Sequence, residues 1–375
     1  MKDARRVAVE LVRRIDEDGA YANLLVPSTL ERSRLDRRDR AFVTEVAYGA
    51  TRMRRACDFL VDRYLLRPVD PAVRAALRIG AYQLEFMRVP AHAAVGATVA
   101  VTPGPARGLV NAVLRRVAEA PVVWPDDVTR LSYPDWVAAA LTAALGEVDA
   151  VAALEQMNQP ARATVRADGY VQDMASQWVA DLVEVAPGHR VADLCAAPGG
   201  KATGLASATN GGLVVAGDVN PRRAGLISAN ARRLGVAGAL SVVAADAGRP
   251  PLRRRSFDRV LLDAPCSGLG TLRRRPDARW RVEPAAVERL AGLQREMIDA
   301  SVPLLRPGGL LVYSVCTMTT EETGGVDDHV AERWPDLVPV AAPGAPWARL
   351  GRGALLLPQA AGTDGMALFR YRLGR

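Results

Sequence analysis

The sequence has few of the residues that build metal or disulfide frameworks. Its 375 residues include four cysteines (Cys57, Cys195, Cys266 and Cys316) and three histidines (His92, His189 and His329). There is no CxxC pair and no Cys/His cluster, so the spacing of a zinc module is missing and no metal is expected. Unpaired thiols fit a reducing cytosol and predict a cytoplasmic protein. No apolar run reaches about 18 residues, so no membrane span is expected. The opening Met-Lys-Asp-Ala-Arg-Arg lacks a signal-peptide core. Internal repeats, low-complexity segments, a GxxxxGK[ST] phosphate loop and a GxGxxG fingerprint are also missing.

The chain does carry excess positive charge. Lys and Arg total 49 against 41 acids, a formal net charge of +8. That balance suits a polyanionic partner such as RNA, although arginine-rich chains are often basic for other reasons. The length allows two or three domains.

Residues 1–120 read as an all-α domain. Val7, Leu11, Val12 and Ile15 recur at helical spacing, and a longer stretch runs from Phe42 to Leu65. Pro71 opens a helix over 72–86. Pro90 and Pro103-Gly-Pro105 mark the end of one helix and the start of the next, and 109–117 closes the set. Arg32, Arg34, Arg37, Arg38, Arg40, Arg52, Arg54, Arg55, Arg107, Arg115 and Arg116 cluster here. A solvated helix face is the plain reading of any one run; together they predict contacts to an RNA backbone. Residues 121–168 read as a connector of short helices between Trp124-Pro, Tyr133-Pro and Asn158-Gln-Pro160 turns.

Residues 169–375 alternate between the two periods. Strands are expected at 190–194, 213–217, 240–245, 258–262 and 309–314, with helices at 201–208, 221–234 and 284–305. Such alternation predicts a doubly wound, mostly parallel sheet. Residues 354–358 and 366–373 are expected to add antiparallel strands at the end.

Four of these strands end in an acid: Asp193, Asp218, Asp246 and Asp263. In open α/β sheets ligands bind beyond the carboxyl ends of the strands. The loop Cys195-Ala196-Ala197-Pro198-Gly199-Gly200-Lys201 follows the first strand, and its glycines would let the backbone approach a ligand. Asp218 suits ribose hydroxyls and Asp246 an adenine amino group. The set resembles an S-adenosylmethionine pocket.

Two thiols lie just past strand ends, in Asp263-Ala-Pro-Cys266 and Tyr313-Ser-Val-Cys316. Cys57 reads as a small buried apolar side chain, and Cys195 as packing beside the cofactor. A thiolate beside a methyl donor suits a poor carbon nucleophile such as cytosine C5. Addition to C6 moves electron density onto C5, which can then take the methyl group. Asp263 is placed to stabilise charge at N3.

The second half resembles the Sun-type RNA cytosine-C5 methyltransferases. The likeness rests on 171–177, 193–201, 263–270, Arg274-Arg-Pro-Asp277 with Trp280, 305–309, Tyr313-Ser-Val-Cys-Thr317, Leu356-Leu-Pro-Gln359 and Thr363-Asp-Gly365. The first half resembles the NusB-type RNA-binding domain through Tyr48-Gly49, Arg52, 77–84, Val89-Pro-Ala-His92 and 109–115. The resemblance implies an all-α NusB-like domain joined to a Rossmann-like methyltransferase domain. It implies Cys316 as covalent nucleophile, Cys266 as the thiol that assists product release, and cofactor contacts from 195–201, Asp218, Asp246 and Asp263. It further implies S-adenosylmethionine as cofactor and small-subunit rRNA, free or in a ribosomal particle, as partner. One chain carries the whole pocket, so a monomer is expected.

There are two departures from the family. Val315 stands where Thr is usual before the nucleophile, and a small RNA-binding subdomain between Pro160 and Val171 is largely missing. Two alternatives stay open. Cys266 could be the nucleophile, as in DNA cytosine methyltransferases, or the chain could be an RNA-binding or ribosome-assembly factor with vestigial chemistry. If RNA is the substrate, it should meet a basic groove near Arg273-Arg-Arg275 and present an unstacked base.

Overall fold

The computed structural model describes residues 3–374. They form two compact units. One comprises residues up to Ala139 together with Arg274–Arg281; the other comprises 140–273 and the residues from Val282 onward. The helical domain expected over 1–120 lies within the first unit, and the connector expected over 121–168 spans the division. The connector's residues are shared between the two units.

The first unit is helical: α1 (Ala4–Asp16), α2 (Ala22–Glu31), α3 (Arg37–Arg52), α4 (Arg54–Asp62), α5 (Pro71–Glu85), α6 (Ala91–Val101), α7 (Arg107–Glu119) and α8 (Asp127–Leu131), with α9 (Asp135–Leu145) running across the division. The stretch expected to continue from Phe42 to Leu65 breaks at Met53, which caps α3 and opens α4 with a non-helical ψ of 28°. Asp3, Asp36 and Asp126 cap α1, α3 and α8 by accepting from backbone N–H groups of the first turn. Leu11, Val43, Leu60, Leu77, Ile79 and Leu114 fill the core, and Cys57 lies buried among them as expected. Arg78 ties three helices. It donates to Asp58 on α4 at 2.7 and 2.8 Å and to Asp16 on α1.

Residues 274–281 belong to this helical unit although they lie 135 residues past its main segment. Arg279 is fully buried. Its guanidinium lies 3.9 Å from the Tyr133 ring centre and donates to the Ser132 and Arg52 carbonyls at 3.0 and 3.3 Å. Burial pulls that guanidinium down to about 10. Trp280 Nε1 donates to the Thr51 carbonyl at 2.8 Å, and Arg281 donates to Ala20.

The structure corrects part of the basic cluster. Arg52 is buried, Arg54 faces Asp16 at 3.6 Å and Arg55 meets Asp135 at 2.6 Å. Arg40 and Arg107 cap carbonyls at 2.9 and 3.2 Å. Arg32, Arg34, Arg37, Arg38, Arg115 and Arg116 remain exposed.

The second unit is a mixed sheet with helices. Its strands are β1 (Arg190–Asp193), β2 (Leu213–Asp218), β3 (Leu240–Ala244), β4 (Phe257–Asp263), β5 (Leu305–Val315), β6 (Leu337–Pro339), β7 (Ala348–Leu350), β8 (Gly353–Leu356) and β9 (Met366–Leu373). The order is β3-β2-β1-β4-β5-β9-β8-β7, with β6 also on β9. Strands β1 to β5 pair in parallel; β9 joins β5 antiparallel. The doubly wound sheet with antiparallel closing strands is thus as expected, with the short β6 and β7 added. The connecting helices are α10 (Glu147–Met157), α11 (Met174–Asp181), α12 (Gly200–Thr209), α13 (Pro221–Arg233), α14 (Pro284–Ser301), α15 (Gly324–Arg333) and α16 (Pro358–Ala361). Runs such as Val260-Leu-Leu262 and Leu310-Leu-Val-Tyr313 are apolar on both faces because helices cover both. Among the described residues, no helix is long and apolar enough to cross a membrane.

Candidate active site

The parallel register brings the strand-end acids to one edge. Asp193 on β1 pairs across to Leu261 and Ala216, Asp263 on β4 lies opposite Ser314 on β5, and Asp218 ends β2.

The loop after β1 is pinned from several sides. The Leu194 N–H donates to Leu261, and the Ala196 N–H donates to Gly217 at 2.8 Å. Asn230 on α13 donates to the Pro198 carbonyl at 2.9 Å. Gly199 has φ +108°, and a Cβ there would lie 3.2 Å from the Ile227 Cα. Glycine is therefore required by both conformation and space. α12 begins at the next residue, so its free N–H groups face the loop.

Lys201, on the first turn of α12, places Nζ 2.6 Å from Asp263 Oδ2. Burial pulls the ammonium down, but Asp263 outweighs burial and its affinity for the proton ends up raised. The other Asp263 oxygen accepts from Ser314 Oγ at 2.7 Å. Asp193 is buried, and neither of its oxygens meets a donor in good geometry. Burial, and next the Asp263 charge, push its carboxyl up to about 7; the Lys201 charge, and then the nearby Cys195 N–H, offset only part of this. Asp218 accepts from the Asn220 N–H at 2.9 Å and faces Arg223 at 3.3 Å. Asp246 is exposed and turns back to accept from the Gly248 N–H at 2.8 Å. Burial pushes the Cys195 thiol up, as does the charge of Asp193.

The two predicted thiols meet. Cys266 Sγ and Cys316 Sγ are 3.4 Å apart. The hydrogen bond with Cys316, and then burial, push the Cys266 thiol well above its usual value. The backbone holds these turns tightly. The Gly270 N–H donates to the Cys316 carbonyl and the Gly365 N–H to the Gly270 carbonyl, both at 2.9 Å. This explains why the late Thr363-Asp-Gly365 stretch matters to a site formed 50 to 100 residues earlier.

One expectation changes. Arg273 is buried and donates to the Gly362 carbonyl, so it does not line a basic groove. Arg274 and Arg275 are exposed. Sequence reasoning also missed Glu322, which has no local motif, and gave no role to Ser314 within the Tyr313-Ser-Val-Cys-Thr317 stretch. A signal for Lys201 was available: apart from Lys2 it is the chain's only lysine, every other basic residue being arginine. A cavity of about 520 Å³ lined by Arg166, Gln177, Asp181 and Glu184 holds none of the predicted site residues.

A family model for the 16S rRNA methyltransferase RsmB/F matches residues 180–371, and a NusB family model matches 2–119. The chain belongs to the RsmB/F family. The ribosomal RNA small subunit methyltransferase B of Thermus thermophilus is 38% identical over 405 aligned positions, covering 98% of this chain and 97% of its own. That of Pseudomonas syringae pv. tomato is 33% identical over 436 positions, covering 96% and 95%. Those 436 positions exceed the 375 residues here, so this relative has residues at 61 or more positions where the present chain has none. Among solved structures, PH0851 aligns with a TM-score of 0.78 at 20% identity over 98% of each chain. A methyltransferase homolog from Pyrococcus horikoshii aligns at 0.57 and 22% identity, over 67% of this chain and all of its own. These two likenesses show the fold.

As an RsmB/F protein, the chain is an rRNA methyltransferase with S-adenosylmethionine as cofactor. Its residues fit that cofactor. The buried Asp193 keeps both oxygens without a donor in good geometry, and Asp218 offers acceptors at the next strand end.

Proposed function

We propose that the protein methylates C5 of a cytosine in 16S rRNA through a covalent bond from Cys316 to C6 of the base. The observation that carries this reading is the pair of thiols 3.4 Å apart beside the Lys201–Asp263 ion pair. S-adenosylmethionine, when bound, supplies an electrophilic methyl group. The residues of the 195–201 loop, with Asp218 and Asp246, would hold it, as the family resemblance implies.

The Cys316 sulfur forms the bond to C6 and the C5–C6 double bond opens, which places electron density on C5. Asp263, with Lys201 as its cation, faces the charge that develops at N3. Once C5 carries the methyl group, its proton must leave so that the S–C6 bond can break and the ring can regain aromaticity. Cys266 is assigned to this release. The family resemblance assigns the attack to Cys316 and leaves the release to Cys266. The target base must leave its stack, so loops or single-stranded rRNA are preferred. The exposed arginines of the helical unit would meet the RNA backbone. Free thiols and a ribosomal substrate fit a cytoplasmic setting, with the protein acting as a monomer.

The deciding experiment incubates the protein with tritiated S-adenosylmethionine and unmodified small-subunit rRNA, beside Cys316→Ala. The expected result is label at cytosine C5 that disappears in the variant. Label that persists in Cys316→Ala would move the nucleophile to Cys266. The residues missing relative to the Pseudomonas protein favour one second reading, an RNA-binding assembly factor. Bound cofactor and rRNA with no label in the wild type would support it.

A further inference from the structure

The turn that carries Cys266 is held by a buried acid that the methyl transfer does not use. Glu322 lies in the turn between β5 and α15 and is fully buried. Its Oε1 accepts from the Ser267 N–H at 2.8 Å and from Gln294 Nε2 at 3.0 Å. Its Oε2 accepts from Ser267 Oγ at 2.5 Å and from Thr319 Oγ1 at 3.0 Å.

These partners flank the thiol on both sides. Ser267 follows Cys266 in the chain. On the other side, Gln294 Nε2 also donates to the Pro265 carbonyl at 2.9 Å, while the Tyr313 hydroxyl donates to Gln294 Oε1 at 2.9 Å. The cluster reaches the second thiol as well, because Ser267 Oγ lies 2.9 Å from the hydroxyl of Thr317, the residue after Cys316. Both peptide groups around Cys266 are thus tied to one polar cluster centred on Glu322.

Burying a carboxylate is unfavourable unless donors surround it. Here four do. An apolar residue at 322 would strand the Ser267 N–H and the Gln294 amide inside the protein, and such a half-satisfied network is worse than none. The arrangement fixes a geometry in which a shift of about 1 Å would part the two sulfurs.

We propose that Glu322 is a positioning residue, which holds Cys266 against Cys316 so that Cys266 can release the methylated product. This rests on the two-thiol reading above.

The test compares Glu322→Gln and Gln294→Met with wild type, Cys266→Ala and Cys316→Ala. Glu322→Gln keeps the size but turns an NH2 group toward donors; Gln294→Met removes the tie to Pro265 independently. Circular dichroism and S-adenosylmethionine affinity report whether each is folded. The first readout is protein–RNA adduct that survives denaturing electrophoresis. Both variants should resemble Cys266→Ala, with adduct formed and retained at least about tenfold more than in wild type, the scale of a misplaced proton-transfer group. The second readout needs no RNA: the rate at which iodoacetamide alkylates Cys266, followed by peptide mass. A severalfold faster rate in Glu322→Gln is expected once the turn loosens.

Turnover and alkylation equal to wild type in both folded variants would overturn the proposal. Loss of adduct formation with unchanged Cys266 alkylation would also overturn it, because the effect would then lie at Cys316. Should Cys266→Ala itself trap no adduct, the two-thiol reading fails separately, and the positioning role stands or falls on the alkylation rates.

Discussion

Asp193 and Lys201 stand at the two ends of one loop and meet burial differently. Lys201 has a carboxylate 2.6 Å away, so its charge is compensated. Asp193 has no such partner, and its carboxyl is pushed up to about 7 by burial and by Asp263. In the unfolded chain it titrates near 3.9. Between those values the folded protein holds a proton that the unfolded chain has released. The contribution to stability is therefore fully present below about pH 4 and is lost as pH rises through about 7. Asp193→Asn cannot titrate. Chemical unfolding at pH 5 to 8 should show wild-type stability falling relative to the variant, by at most on the order of 4 kcal/mol. A difference between the two that does not change with pH would contradict this. The lysine at 201 also fits its place. A compact ammonium on a short reach suits a single carboxylate, whereas a guanidinium would need a wider, planar partner.

At the scale of elements, the Cys316 turn depends on two glycines packed backbone to backbone. A Cβ on Gly270 would stand 2.2 Å from the Gly365 carbonyl and 3.0 Å from that of Cys316. Gly270→Ala should therefore cost on the order of 3 kcal/mol in thermal or denaturant unfolding and part the turns that carry the thiols. In the helical unit, Arg279→Met should lose the ring contact with Tyr133 and two hydrogen bonds, about 2–4 kcal/mol read from urea unfolding. A change under 1 kcal/mol would make Arg279 a passenger.

The central strands were legible because they are continuous apolar runs, each stopped by an acid, and that local pattern is what a parallel sheet covered on both faces requires. α2 was not singled out, because Pro27 stands inside it and its apolar residues have weak periodicity. β6 and β7 have three residues each, too few to show alternation. The thiols and the cofactor loop were legible from the family motif. The partners that hold them were not: Lys201 meets Asp263 across 62 residues of sequence and Glu322 meets Ser267 across 55. Such pairs are made by the strand order, and periodicity within a window carries no trace of them.

On the scale of the whole molecule, the two units are not consecutive in the chain. The first borrows Arg274–Arg281 from within the sequence of the second. A fragment ending at residue 139 should therefore be less stable than the same helices in the full protein. Hydrogen exchange checks this at amides near the borrowed segment, such as those of Thr51, Arg52 and Ser132. They are expected to lose protection in the fragment and to regain it when residues 274–281 are supplied as a peptide. Equal protection in fragment and full chain would mean that the helices complete their own core.

That borrowing sets a timetable for the nascent chain. The first helices leave the ribosome long before the eight residues that Tyr133 and Ser132 are waiting for. At about 5–20 residues per second, translating the intervening stretch takes roughly 7–30 seconds. During that interval Tyr133 faces an empty seat, and the carbonyls of Thr51, Arg52 and Ser132 lack their donors. Vectorial synthesis thus cannot finish the N-terminal half first. It matures only when the second half is more than half made, so a chain that stops before Arg274 yields no complete helical unit.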